Sequence, residues 1–146
     1  MKLVLQRVLS GSVTVEGRVV GSIGPGLVVL LGISREDTVD KIQVAVNKVL
    51  SIRLWENDGK KWDLNLVDKG FEVLIVSQFT LYAVLKGNRP DFHNAMNPNQ
   101  AIEVYQQFVQ AAREKYDPSK VQTGSFGEYM NVHTVGDGPV TIELNY

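Results

Sequence analysis

Leu27-Val28-Val29-Leu30-Leu31-Gly32-Ile33 contains no charged or hydrogen-bonding side chain, and only Gly32 interrupts its run of large apolar residues. A strand with one face in water alternates apolar with polar positions, so a run apolar on both faces belongs inside a covered sheet. Phe71-Glu72-Val73-Leu74-Ile75-Val76 has the same character beyond Glu72 and predicts a second buried strand. Other strands surround these two. Leu3, Leu5 and Arg7 alternate with Val4, Gln6 and Val8, and Val13 and Val15 follow. A turn at Glu16-Gly17 leads to Val19 and Val20, and Gly24-Pro25-Gly26 turns the chain into the central strand. Asn57-Asp58-Gly59 predicts a hairpin turn.

Two helices stand out by period. Val39, Ile42, Val46, Val49 and Leu50 recur at helical spacing behind Ser34 or Asp37, either of which can cap. Asn97 predicts the cap of a longer helix with Pro98 at its first position. Ala101, Tyr105, Phe108 and Ala112 would face inward, and Asp117-Pro118 would end it. Residues 82–97 lack periodicity and predict a long loop, a place where function often sits. The tail predicts strands over Val121–Phe126, Met130–Val135 and Val140–Leu144. No repeat or linker divides the chain, so residues 1–146 read as one α+β domain, largely antiparallel, with two main helices.

Composition removes several function classes. With 146 residues and 44% apolar content, one normal core is expected. No segment approaches the roughly 18 apolar residues of a membrane helix. Met1 to Val8 is too short and too soon charged for a signal peptide, so a cytoplasmic protein is expected. The absence of cysteine excludes disulfides and thiolate metal sites. His93 and His133 are the only histidines, neither at zinc-like spacing from another ligand, so neither metal nor cofactor is expected. A net charge of −1 argues against a broad grip on long nucleic acid and limits any such contact to one strand end.

Ser77-Gln78-Phe79-Thr80-Leu81 follows the second buried run directly. If the strand continues, Ser77, Phe79 and Leu81 face one way and Gln78 and Thr80 the other. These residues could aim a hydroxyl or main-chain N–H groups at a carbonyl, or simply satisfy an ordinary strand end. By themselves they favour the ordinary reading. A nucleophilic Thr80 needs a base, and no His or Lys lies near it in sequence, so the backbone is the better catalytic candidate. Near the end, Gly136-Asp137-Gly138-Pro139-Val140-Thr141 sets an X-Pro bond before the last strand; such bonds are mostly trans but can be cis at low cost. Arg7 must be paired if buried, to a carboxylate or to a main-chain carbonyl such as that of the Gly-Pro turn, or else it snorkels at a sheet edge. Lys60, Lys61, Lys86 and Arg89 read as solvated loop cations within reach of phosphates. Trp55, Trp62, Phe126 and Met130 read as core, and both histidines as structural or surface residues.

Taken in order, Gln6-Arg7-Val8, Ile23-Gly24-Pro25-Gly26-Leu27, Ser77–Leu81, Lys86-Gly87-Asn88-Arg89-Pro90-Asp91-Phe92, Thr123-Gly124, Phe126-Gly127, Met130 and Gly138-Pro139-Val140-Thr141 resemble the D-aminoacyl-tRNA deacylase family along the whole chain. The resemblance implies that family's barrel-like fold and a homodimer with two sites straddling the interface. It implies hydrolysis of the ester joining a D-amino acid, or glycine, to the terminal adenosine of tRNA. Ser77, Gln78, Phe79 and Thr80 would form the catalytic strand end. Gly138 and Pro139 of the other subunit would form a cis main-chain filter for chirality, locked by Arg7 and Gln78. Phe126 and Met130 would wall the adenine. Either Thr80 attacks the ester, or the Phe79 and Thr80 N–H groups hold the oxyanion while the ribose 2′-hydroxyl activates water. One position departs from the pattern: Gly136 stands where the family usually has Asn. Two other functions remain open: a Thr-dependent esterase or amidase for small molecules, and a non-enzymatic DNA-unwinding-element-binding role. The latter is tied to relatives with an added C-terminal tail, for which a chain ending at Tyr146 is expected to have no room.

Overall fold

One long strand, β1 (Lys2–Val15), organises the sheet in the computed structural model, which describes residues 1–146. Along one edge β1 pairs antiparallel with β10 (Asn131–Asn145). Along the other it pairs first with β3 (Gly26–Gly32) and then, past Val8, with β2 (Arg18–Ile23). β3 runs parallel to β6 (Glu72–Ser77), and β6 parallel to β9 (Val121–Thr123). The order is therefore β10-β1-β3-β6-β9, with β2 on β1.

The sheet is largely antiparallel, as expected, and two parallel pairings make it mixed. Its two parallel pairings have a plain cause, since parallel neighbours need a crossover long enough to return the chain to the same end. Helix α1 (Asp40–Ser51) lies between β3 and β6, and α3 (Pro98–Lys115) between β6 and β9. The sheet also curls until β2 meets β9. A Cβ at Gly21 would lie 2.1 Å from the Thr123 carbonyl oxygen, so only glycine permits this near-closed, barrel-like form.

Both faces of the apolar runs are covered, as predicted. Leu27, Val29, Leu31, Val73 and Ile75 join Ile42, Val46 and Val49 of α1 and Val104 and Phe108 of α3 in the main core. Val28, Leu74 and Val76 point into the curl with Val8, Val13 and Ile23. Each fully buried aliphatic side chain contributes about 1.5–3 kcal/mol. The core thus fixes β3 and β6, and with them the chain that follows β6.

Asn97 caps α3 by accepting from the Asn99 N–H, with Pro98 first in the helix. The Asn57–Gly59 turn joins β4 (Trp55–Asn57) to β5 (Lys60–Leu64), ahead of the single-turn helix α2 (Leu66–Lys69). Four expectations need correction. Neither Ser34 nor Asp37 caps α1, which starts behind Val39 without a side-chain cap. Asp37 is buried instead, accepting from the Met1 ammonium and from the Ser34 N–H, both at 2.7 Å. Residues 82–97 include a hairpin, β7 (Val84–Lys86) and β8 (Arg89–Asp91), whose three-residue strands are too short to show a period. Trp62 is not core but 55% exposed, at φ +57° on the outer hairpin. Met130–Val135 and Val140–Leu144 are parts of one strand, because β10 runs through Gly138-Pro139.

Candidate active site

β6 ends at Ser77, and the predicted alternation through Leu81 ends with it. Gln78 leaves strand geometry at φ −147° and ψ 80°, and Phe79–Tyr82 forms one 3₁₀ turn. Phe79 and Thr80 are consequently both exposed. Gly32 makes the turn possible: a Cβ there would lie 2.9 Å from the Leu81 Cβ and 3.1 Å from the Gln78 carbonyl oxygen. The Gln78 N–H still donates to the Leu31 carbonyl at 2.8 Å, which ties the turn to β3. The Phe79 and Thr80 N–H groups open the turn, where a helix has no internal acceptor for them. The Thr80 hydroxyl accepts from the Gln78 side-chain amide rather than facing a base.

Beneath this turn, the Tyr105 hydroxyl donates to the Ile75 carbonyl at 2.8 Å. Burial pushes its pKa up to about 12, so it stays a neutral donor. Ser77, Gln78 and Phe79 wall a largely apolar cavity of about 780 Å³, together with Phe92, Phe126 and Met130; Thr80 lies off that wall. Phe79 meets Phe92 edge-on, with centroids 5.0 Å apart. Phe126 leans on Tyr105 at 5.5 Å. Met130 is folded back so that its sulfur accepts from the Ser125 N–H at 3.3 Å, in space left by the missing Cβ of Gly124.

The Gly-Pro motif is built differently. Gln6 pairs with Thr141 and Val8 with Gly136, so Asp137, Gly138, Pro139 and Val140 all stand opposite Arg7 alone. This wide bulge protrudes from the edge strand, the setting in which a sheet tolerates proline. The Gly138-Pro139 bond is cis. Arg7 has both kinds of partner considered for it, since its Nε donates to the Asp137 carbonyl at 3.2 Å and lies 3.2 Å from the Asp137 carboxylate. Its Nη1 donates to the Leu54 carbonyl. Arg7 and the bulge border a second hollow of about 450 Å³, with Trp55, Trp62 and Lys61. A Cβ at Gly136 would meet nothing within 4 Å, so the missing Asn leaves open space rather than a backbone demand for glycine.

Within one chain the two hollows share no lining residue. Ser77, Gln78, Phe79, Phe126 and Met130 come together, and so do Arg7, Gly138 and Pro139. The two groups do not. The Gln78 amide donates to the Thr80 hydroxyl and makes no hydrogen bond to the bulge of its own chain. Sequence reasoning missed Gly32, Phe92 and Tyr105 as supports of the cavity, although Gly32 was visible as the one gap in an apolar run. β10, which carries the bulge, is an outer strand of 15 residues with a free edge, and its Val132 and Val135 are 40% and 53% exposed.

The family model described as D-Tyr-tRNA(Tyr) deacylase matches residues 4–145. The chain belongs to that family. Among its relatives, D-aminoacyl-tRNA deacylase 1 of Leishmania major is 53% identical over 99% of this chain and 97% of its own length. The protein of the same name from Homo sapiens is 51% identical over 99% of this chain and 69% of its length. D-aminoacyl-tRNA deacylase of Bacillus velezensis is 46% identical, covering 99% and 98%. Among solved structures, one called c-Myc DNA Unwinding Element Binding Protein superposes with a TM-score of 0.96 at 50% identity, covering 100% of this chain and 99% of that one. A probable eukaryotic D-amino acid tRNA deacylase shares the fold at a TM-score of 0.84 and 20% identity, covering 98% and 97%. No helix is long and apolar enough to cross a membrane.

Proposed function

We propose that this protein hydrolyses the ester of D-aminoacyl-tRNA, and of mischarged glycyl-tRNA, as a cytoplasmic homodimer whose sites are completed across the interface. Family membership supports the reaction, a carboxylic ester hydrolysis. One observation carries the architecture: each chain holds two half-sites that do not meet, and one of them protrudes from a long free strand edge. An exposed apolar edge is a liability unless something covers it. A two-fold interface over β10 would cover it and could bring the bulge of one copy to the cavity of the other.

The chemistry follows from what each half offers. The cavity, with Phe126 and Met130, takes the terminal adenosine and leaves the scissile ester by the 3₁₀ turn. The Phe79 and Thr80 N–H groups stabilise the oxyanion, a task that needs no titrating side chain. Thr80 has an amide for a neighbour and no base, which counts against nucleophilic attack. The 2′-hydroxyl of the substrate's own ribose then activates water. Gly138 and Pro139 of the second copy face the amino acid with main-chain atoms, which see what all amino acids share around Cα. Side-chain pockets discriminate by only about 1–3 kcal/mol per methylene and would depend on which amino acid enters. Arg7 holds the bulge from its own chain, and Gln78 of the facing copy meets it from the cavity side.

Rates on D-Tyr-tRNA and L-Tyr-tRNA test this directly: the D ester should be cleaved and the L ester spared. Equal rates on both would end the chiral reading. A 2′-deoxy terminal adenosine should be a poor substrate, and normal turnover of it would remove the ribose from the mechanism. The name of the TM-score 0.96 structure favours a second reading, binding to a DNA unwinding element. Tight duplex binding at moderate salt, without deacylation, would favour that reading.

A further inference from the structure

The β7–β8 hairpin carries a charge arrangement that stability alone does not explain. Lys86 and Arg89 are direct cross-strand partners. Like charges placed directly opposite are unfavourable, because their side chains share one face a few ångströms apart. One carboxylate is close by, and both of its oxygens are already engaged. Asp91 Oδ1 lies 3.2 Å from the Lys86 ammonium, and Oδ2 is held by His93 Nδ1. Those contacts, His93 first, bring the Asp91 carboxyl down to about 2. Arg89 is exposed and has no ion-pair partner.

The hairpin leads directly into the cavity wall. Phe92, the residue after β8, is on the cavity wall and packs on Phe79. The chain beyond it is fixed, with the Arg35 N–H donating to the Asn94 carbonyl at 2.9 Å and the Met96 N–H to the Ile33 carbonyl at 3.0 Å. Arg89 stands three residues out from Phe92, roughly 10 Å along an extended strand. The chain as a whole is slightly acidic, and this pair, with Asp91 as its one nearby carboxylate, is a local excess of positive charge. We propose that Lys86 and Arg89 form a phosphate site that grips the backbone of the single-stranded tRNA 3′ end just 5′ of the terminal adenosine. Arginine suits the task because its planar fork binds phosphate oxygens in pairs, while lysine adds a point charge. This rests on the deacylase reading and adds to it a contact that the ester-cleaving groups do not supply.

The test compares two substrates, D-Tyr-tRNA and D-tyrosyl-adenosine, which has no phosphate. Arg89→Gln should raise KM for the tRNA about tenfold at unchanged kcat, and leave the adenosine ester untouched. Its log KM against log salt should lose a slope of about 0.7, the share of one single-strand phosphate. Lys86→Gln should act in the same direction more weakly, and Arg89→Lys should recover part of the loss. Equal losses on both substrates would mean that Arg89 merely supports the cavity, and no loss with an unchanged salt slope would mean that it touches no phosphate. Either result overturns the proposal while leaving the deacylase intact. A wild-type protein that cleaves neither ester would instead bring down the deacylase reading and this site with it.

Discussion

The cavity and the Gly-Pro bulge are two ways of holding main-chain atoms in place. The cavity's 3₁₀ turn sits at the end of a strand buried on both faces, docked on Gly32 and backed by the Tyr105–Ile75 hydrogen bond. Many core contacts determine its position, so no single surface side chain controls it. The bulge stands out from an exposed edge and is gathered by one arginine, which binds Asp137 and Leu54 together. A backbone feature inside a core is redundantly supported; one on an edge depends on whichever side chain reaches it.

The sharpest way to break this contrast is to remove a main-chain donor from the cavity half. Proline at Phe79 deletes one N–H at the opening position of a helical turn, where proline is tolerated. Phe79→Pro should lower kcat about 10²–10³-fold, the usual loss for one oxyanion donor, with the fold retained by circular dichroism. Full activity would move the oxyanion elsewhere. Arg7→Ala should come next. It frees the bulge, and small displacements of a positioning element can cost about 10²-fold in rate. Steady-state kinetics on D-Tyr-tRNA should show that fall, and a parallel collapse of secondary structure would mean that Arg7 serves the fold instead.

Thr80→Ala should do little, less than about tenfold in kcat, because its hydroxyl meets only the Gln78 amide. A loss as large as that of Phe79→Pro would restore the nucleophile. Tyr105→Phe should have the smallest effect on rate, yet it should lower stability by about 1 kcal/mol in denaturant melts by removing the shorter of the two hydrogen bonds to the Ile75 carbonyl, which keeps only the Gly124 N–H. An unchanged midpoint would show that the Gly124 N–H alone satisfies that carbonyl.

How much of this the sequence disclosed depended on the range of the contacts. The double-faced runs at Leu27–Ile33 and Val73–Val76 gave the buried strands, and Asn97-Pro98 gave the start of α3, because each signal is local. Asp37 misled as a cap because its partner, the Met1 ammonium, lies 36 residues away. β10 was split at Gly138-Pro139 because proline ordinarily ends a strand, and only the pairing with β1 shows that an edge bulge absorbs it. The turn after Ser77 went unseen for a related reason, since the glycine that admits it sits on another strand. The motifs named the right segments for a site. That one chain keeps them in separate hollows follows from where the strands lie, and no motif encodes that.

Mixing Arg7→Ala protein with Phe79→Pro protein, after unfolding and refolding together, bears most directly on shared sites. Each variant alone should be nearly inactive, while mixed pairs should contain one site with both faults and one with none. Random pairing should therefore restore roughly a quarter of wild-type activity on D-Tyr-tRNA. Activity no greater than the sum of the two variants, in a mixture that has refolded and re-paired, would contradict a site built from two copies.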